Sequence, residues 1–368
     1  MKSMDKYRGC LVGGTVGDAL GYAVEFLQDY QIFEKYGERG ITEYALTDGI
    51  AQISDDTQMT LFTANGLLVG TTQKMMRGTM DTYMSYIYLC YKDWLQTQGE
   101  GNFEKVKQHC SWLNNVDKMN HSRNPGRTCI LSIIHGKVGT ISNPLNNSKG
   151  CGGIMRVAPI GLYFEGKNYT DDEIDMIGAE AAALTHGHEL GYIPAAALVH
   201  IINLVSHNPD ITLLRAVTDA KETMIRLFPN SRHLSELTDL IDRAVELSKE
   251  NMDDLDAIRM LGEGWVAEET LAIAVYCALK YSDDFEKAII AAVNHSGDSD
   301  STGAVTGNIL GAYLGLSAIP QKFLDKLELR DVIMEIADDL YNDCCISENE
   351  PYIDEVWENK YINYTYMK

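Results

Sequence analysis

The chain has 368 residues, 45% of them hydrophobic and 23% charged, and a net charge of -22. That length permits a large buried core, and the composition is ordinary for a soluble globular protein. The charge excludes duplex nucleic acid and anionic membranes as general partners, and an anionic ligand would need cations or backbone amides to hold it.

Met1 to Asp5 lack the apolar core of a signal peptide. The longest greasy stretch, Tyr192 to Val205, carries Pro194, His200 and Asn203 and reads as too short and too polar to span a bilayer. Eight scattered cysteines, none in C-x-x-C, fit reduced thiols rather than an extracellular disulfide framework. The expected location is cytoplasmic.

In chain order, residues 8–26 read as a helix with glycines every four residues, at Gly9, Gly13, Gly17 and Gly21. Such a row strips one helical face of side chains, at ~1 kcal/mol per glycine in a helix interior. It implies close approach by a ligand or a backbone, or tight helix packing alone; both readings stand. Residues 27–53 look loop-like. Ser54-Asp55-Asp56-Thr57 then precedes a helical run from Met59 to Leu68, followed by Tyr83 to Leu95 and an amphipathic candidate from Phe103 to Leu113. Asn124-Pro125-Gly126-Arg127-Thr128 is a turn opening a helix to about Ile134. Gly150-Cys151-Gly152-Gly153 before an apolar run has a phosphate-cradling shape, since bare amides at a helix start attract anions.

From 171 onward the texture is helical. Segments 171–185, 190–205, 213–227, 234–247, 267–279, 285–293 and 331–341 show apolar spacing of three or four. Alternating β-branched runs are scarce. The expectation is an all-α fold of about a dozen helices in a single compact domain over residues 1–368.

Near the C-terminal end, His295-Ser296-Gly297-Asp298-Ser299-Asp300-Ser301-Thr302-Gly303 reads as a loop entering a helix, with Asp300, Ser301 or Thr302 near the N-cap. It matches the distant Ser54-Asp55-Asp56-Thr57. Two carboxylates and a hydroxyl from each corner make six oxygen donors: Ser54, Asp55, Asp56, Asp298, Asp300 and Ser301. Buried together without cations, these acids would repel. Oxygen donors suit Mg²⁺ or Mn²⁺ rather than Zn²⁺, in a two-metal arrangement.

Other motifs fail. An EF-hand would need a carboxylate where Ile309 stands. His186-Gly187-His188-Glu189 is not H-E-x-x-H. Gly262-Glu263-Gly264-Trp265-Val266-Ala267 fits a dinucleotide fingerprint only after a buried strand, and residues 251–261 look helical and acidic. P-loop and G-x-S-x-G patterns do not occur.

The pattern resembles the ADP-ribosylglycohydrolase family, which includes the dinitrogenase reductase activating glycohydrolases and the ADP-ribosyl-arginine and ADP-ribosyl-serine hydrolases. The resemblance is strongest over residues 8–320. It rests on Gly17-Asp18-Ala19-Leu20-Gly21 with Glu25, both acidic motifs, Gly150-Cys151-Gly152-Gly153 with Met155-Arg156, Leu184-Thr185-His186, and Gly262-Glu263-Gly264-Trp265. It implies an all-α fold and two Mg²⁺ or Mn²⁺ ions on the six donors named above. It also implies a diphosphate near Gly150, Cys151, Gly152 and Gly153, His186 and Trp265 near the ligand, and Glu25 near the scissile bond. Without the family, His186 reads as a cation at a helix C-terminus, and Glu25 as an exposed helix-end carboxylate.

The implied activity is hydrolysis of the bond between ADP-ribose and a modified side chain, arginine before serine, with Asp56 or Glu25 activating water. The expected partner is an ADP-ribosylated protein or a small ADP-ribosyl substrate. The alternatives are a non-catalytic ADP-ribose binder or crystallin-like structural member of the same fold, and a metal-dependent phosphohydrolase.

Overall fold

Two rows of glycines meet at the centre of the molecule. The computed structural model describes residues 2–78, 81–99, 109–346 and 354–368. In it the helix Met4–Gly21 lies along the helix Ser299–Leu314. Gly9, Gly13 and Gly17 face Gly311, Gly307 and Gly303, while Gly21 faces Ser299. A Cβ on Gly17 would stand 2.0 Å from the Gly303 carbonyl oxygen. The glycine row therefore serves backbone-to-backbone packing, which decides between the two readings left open by the sequence. The answering row, Gly303, Gly307 and Gly311, reads in sequence only as part of a small-residue run.

Labelled in chain order, the α-helices begin with α1 (Met4–Gly21), α2 (Asp29–Tyr36), α3 (Asp55–Arg77), α4 (Tyr83–Thr97), α5 (Arg127–Ile134) and α6 (Ala158–Tyr163). Next come α7 (Asp171–Ala183), α8 (Glu189–His207), α9 (Leu213–Leu227), α10 (Leu234–Leu247), α11 (Asp254–Arg259) and α12 (Ala267–Lys280). The last are α13 (Phe285–Val293), α14 (Ser299–Leu314), α15 (Gln321–Leu324), α16 (Arg330–Asn342) and α17 (Glu355–Tyr361). Among the described residues, extended pairing is confined to isolated bridges. The fold is all-α, as the periodicity predicts. Buried apolar residues from Tyr7 to Tyr361 form one cluster.

Several boundaries differ from the sequence reading. The additional helices α2, α6, α11, α15 and α17 have at most eight residues, too few to show much periodicity. The first helix stops at Gly21 rather than 26, and residues 22–26 turn back with Glu25 buried. Helix α3 runs on past Leu68 to Arg77, closed by Gly78 in the left-handed region. Its buried Thr71, Thr72 and Gln73 hide that continuation from an apolar count. Most of the candidate from Phe103 to Leu113 lies outside the described residues, and Trp112–Asn115 is a 3₁₀ turn.

Helix α8 is 19 residues long and apolar enough to cross a bilayer, so length does not exclude that as the sequence reading held. Here it is buried along nearly its whole length, against α6, α7, α9, α12 and α14. It is a core helix.

Candidate active site and metal centre

The first acidic corner is the start of α3. Ser54 caps it, its hydroxyl accepting the Asp56 amide at 3.1 Å. Asp18, from α1, pins the corner: its carboxylate accepts the Ser54 amide at 2.9 Å, the Thr57 amide at 3.1 Å and the Thr57 hydroxyl. The sequence reading quotes Asp18 within a motif but gives it no role. Asp55 accepts the Gly126 amide at 3.1 Å.

The second corner opens α14. Its cap is Asp298, which accepts the Ser301 amide, rather than Asp300, Ser301 or Thr302. Gly297 has φ +130°, and a side chain there would meet the Glu263 carbonyl oxygen at 2.0 Å. That same carbonyl accepts the Asp298 amide at 2.8 Å, tying the corner to the 262–265 loop. The α1–α14 contact sets the second corner beside Asp18, and the Ser54 side chain is a near neighbour of Asp300. The two corners, far apart in sequence, meet at one cavity.

Six buried acids now share one neighbourhood: Asp18, Glu25, Asp55, Asp56, Asp298 and Asp300. Burial is the largest cause of every shift, with neighbouring carboxylates adding to most. Glu25 is pushed up to about 10, by burial and then by Asp300, Asp298 and Asp55. Asp18 rises to about 7, by burial and then Asp300. Asp55, Asp56 and Asp298 are held well above the ordinary carboxylate range, and burial raises Asp300 too. Glu25, Asp298 and Asp300 each offer an oxygen within 4.8 Å of the others. Glu25 is therefore neither exposed nor remote from the cluster. Glu25 Oε2 and Asp56 Oδ2 are buried without a hydrogen-bond partner. Converging, unpartnered carboxylate oxygens fit a hard divalent cation.

A cavity of about 200 Å³ opens over this cluster. Glu25, Asp55, Asp56, Asp298, Asp300 and Ser301 line it, as do Gly150, Cys151, Gly152, His186 and Trp265. Ser54 and Gly153 are not among the lining residues and lie buried. Cys151 lies at the centre itself, lining the cavity beside Asp298 and Ser301. The glycine stretch is a 3₁₀ turn rather than a helix start, since α6 begins only at Ala158. Its Cys151 amide donates to the Trp265 carbonyl at 3.2 Å and so is not free for an anion. His186 is no cation at a helix end. Burial and the Arg156 charge push it down to about 3, and its ring packs under Gly152. Trp265 is 39% exposed and stacks on Phe26.

The sequence reading missed one wall. The 124–129 segment, read as a mere turn, lines the cavity with Asn124, Gly126, Arg127, Thr128 and Cys129. Asn124 has φ 53° and lies beside Glu25. Asn tolerates the left-handed region better than most residues, so Asn-Pro-Gly before a helix was the available signal. A wider cleft of about 640 Å³ adjoins and shares Thr128.

A model of the ADP-ribosylglycohydrolase family matches residues 1–349. The chain belongs to the ADP-ribosylglycohydrolase family. Within it, the chain is 26% identical to ADP-ribosyl-[dinitrogen reductase] glycohydrolase of Rhodospirillum rubrum, over 89% of this chain and 91% of the relative. It is 25% identical to human ADP-ribosylhydrolase ARH3, over 89% and 90% of the two chains. ADP-ribosylarginine hydrolase Tri1 of Pseudomonas putida is 24% identical, over 96% and 81%. A solved structure described as an ADP-ribosylglycohydrolase-related protein complex superposes with a TM-score of 0.56 at 25% identity, covering 92% of this chain and 98% of that one.

Proposed function

We propose that this member of the ADP-ribosylglycohydrolase family hydrolyses the bond between C1″ of ADP-ribose and a modified side chain, and does so with a divalent-cation pair, Mg²⁺ or Mn²⁺. The observation that carries the reading is the convergence of two acidic corners on one cavity, with Glu25 Oε2 and Asp56 Oδ2 buried and unpartnered. Relatives named as ADP-ribosyl hydrolases over most of their length support the reaction class.

Ser54, Asp55, Asp56, Asp298, Asp300 and Ser301 would hold the ions, with Glu25 close enough to add an oxygen. Bound there, the cations would neutralise the acids, orient the ribose hydroxyls and lower the pKa of a bound water. The chain's own groups do the rest. Asp18 holds the first corner in place through Ser54 and Thr57. Asp56 or Glu25 accepts the proton of the attacking water, each through its unpartnered oxygen. Carboxylates around the anomeric carbon stabilise positive charge as the bond to the side chain lengthens. Neutral His186 supports the glycine turn and leaves anion binding to Arg127 and backbone amides. Pockets for ligands of this size run to about 300–1,000 Å³. The reacting ribose therefore takes the small cavity, and the adjoining cleft takes the remainder of ADP-ribose.

Arginine is the favoured acceptor, on the wording of the two acidic motifs and the naming of the Pseudomonas relative. The chain acts as one domain over residues 1–368, and its eight free cysteines support a cytoplasmic setting. The test is release of ADP-ribose from arginine- and serine-modified protein, with and without Mg²⁺ or Mn²⁺. Asp55→Asn and Asp300→Asn each abolish cation-dependent release. Full activity in both variants rejects the proposal. ADP-ribose binding without turnover of any substrate assigns the chain to the non-catalytic binders.

A further inference from the structure

The mouth of the cavity carries an apolar rim that the reaction itself does not need. Phe26, 66% exposed, stacks on the cavity-lining Trp265, and Tyr30 (65%) and Met260 (48%) are exposed on the two segments that lead to them. Phe26 and Trp265 stack, with ring centroids 6.2 Å apart and planes 21° from parallel. Asp29 and Arg259, the neighbours of Tyr30 and Met260, pair at 2.6 Å and bring the two segments together. The Asp29 amide donates to the Ser296 hydroxyl at 2.8 Å, which anchors the rim to the second acidic corner. Large apolar groups clustered at the surface mark an interaction site, whereas single ones do not.

The charge around the rim is acidic. Glu34 lies one turn beyond Tyr30 on α2 with Lys35 exposed beside it, and Asp256 and Glu263 are exposed on the other segment, so that with Asp29 the acids outnumber Lys35 and Arg259. Arg259 is engaged by both Asp29 and Asp256, so it offers little free positive charge. A surface of this kind complements apolar and basic side chains. Glu25, which precedes Phe26, lies in the acid cluster, so a segment lying on the rim presents its modified side chain straight to the reacting centre. A free ADP-ribosyl amino acid would occupy the cavity and the adjoining cleft and leave Tyr30 and Met260 uncovered.

We propose that the rim of Phe26, Tyr30, Met260 and Trp265 docks the protein segment bearing the ADP-ribosylated residue, which makes a protein with apolar and basic flanks the preferred substrate over a free ADP-ribosyl amino acid. This rests on the hydrolase reading given above. The experiment measures kcat and KM for arginine- and serine-ADP-ribosylated protein and for free ADP-ribosyl-arginine and ADP-ribosyl-serine. It uses the wild type, Tyr30→Ala and Met260→Ala, all with bound Mg²⁺ or Mn²⁺; neither substituted residue lines the cavity.

For the linkage that is cleaved, each variant raises KM for the protein by about fivefold or more, the scale of a contact that matters in an interface. Its kcat and its KM for the free amino-acid conjugate stay unchanged. Rising salt raises KM for the protein substrate more than for the free conjugate, which shares only the ADP-ribose contacts. Equal effects on protein and free conjugate, or no effect on either, overturn the proposal while leaving the hydrolase reading intact. A wild-type dimer that both variants dissolve assigns the rim to a second copy and also overturns it. No turnover of any of the four substrates by the wild type removes the hydrolase reading, and the docking proposal with it.

Discussion

Replacing Gly17 with Ala tests whether the glycine contact sets the metal centre. The new Cβ would stand 2.0 Å from the Gly303 carbonyl oxygen and 2.2 Å from its carbon. Ordinary contact requires more than 3 Å, so α1 and α14 must separate locally by about 1 Å, and no side chain can rotate away. Overpacking of this kind costs about 1–3 kcal/mol, offset by up to ~1 kcal/mol of better helix propensity. The same displacement moves Asp18, one residue along α1, relative to Asp300 on α14. Divalent-ion affinity should therefore fall by about tenfold or more, equivalent to about 1.4 kcal/mol. The assay pairs thermal unfolding without cations and Mn²⁺ titration calorimetry on Gly17→Ala and Gly303→Ala. Gly14→Ala is the comparison, because its Cβ meets the Asn308 side chain rather than backbone. Wild-type melting and wild-type Mn²⁺ affinity in both stripe variants would refute the reasoning.

Asp18→Ala leaves the amides of Ser54 and Thr57 and the Thr57 hydroxyl without their acceptor. It should cost about 1–3 kcal/mol in chemical denaturation and weaken Mn²⁺ binding. Glu25 and Asp18 have folded pKa values, about 10 and about 7, above their ordinary values of 4.5 and 3.8. The folded cation-free chain thus holds protons that the unfolded chain releases. The stability from these groups is complete below their ordinary values and is lost as pH rises through 7 toward 10. The melting temperature of cation-free protein should fall between about pH 5 and pH 9, and Glu25→Gln should flatten that slope. Saturating Mg²⁺ should stabilise most at the alkaline end, and an unaltered slope in Glu25→Gln counts against the assignment. His186 stays neutral at these pH values, so His186→Ala should raise KM through loss of the ring under Gly152 and leave the pH–rate profile unshifted.

The sequence by itself determined the fold class and both acidic corners. Apolar spacing of three or four over long segments such as α9 and α10 can be satisfied only by helices burying one face. The residues that begin α3 and α14 declare themselves as acids and hydroxyls ahead of helical runs, although the cap of α14 is Asp298 rather than the residues after it. Tertiary structure alone decided that Asp300 and Ser54 lie side by side, because their proximity depends on the α1–α14 backbone contact. It alone gave Asp18 its place and Asn124 its contact with Glu25, and it took the Cys151 amide out of service as an anion site. Spacing along a chain reports which face of a helix a residue occupies. Which other helix that face meets is fixed by packing between segments distant in sequence, and in this protein that packing assembles the site.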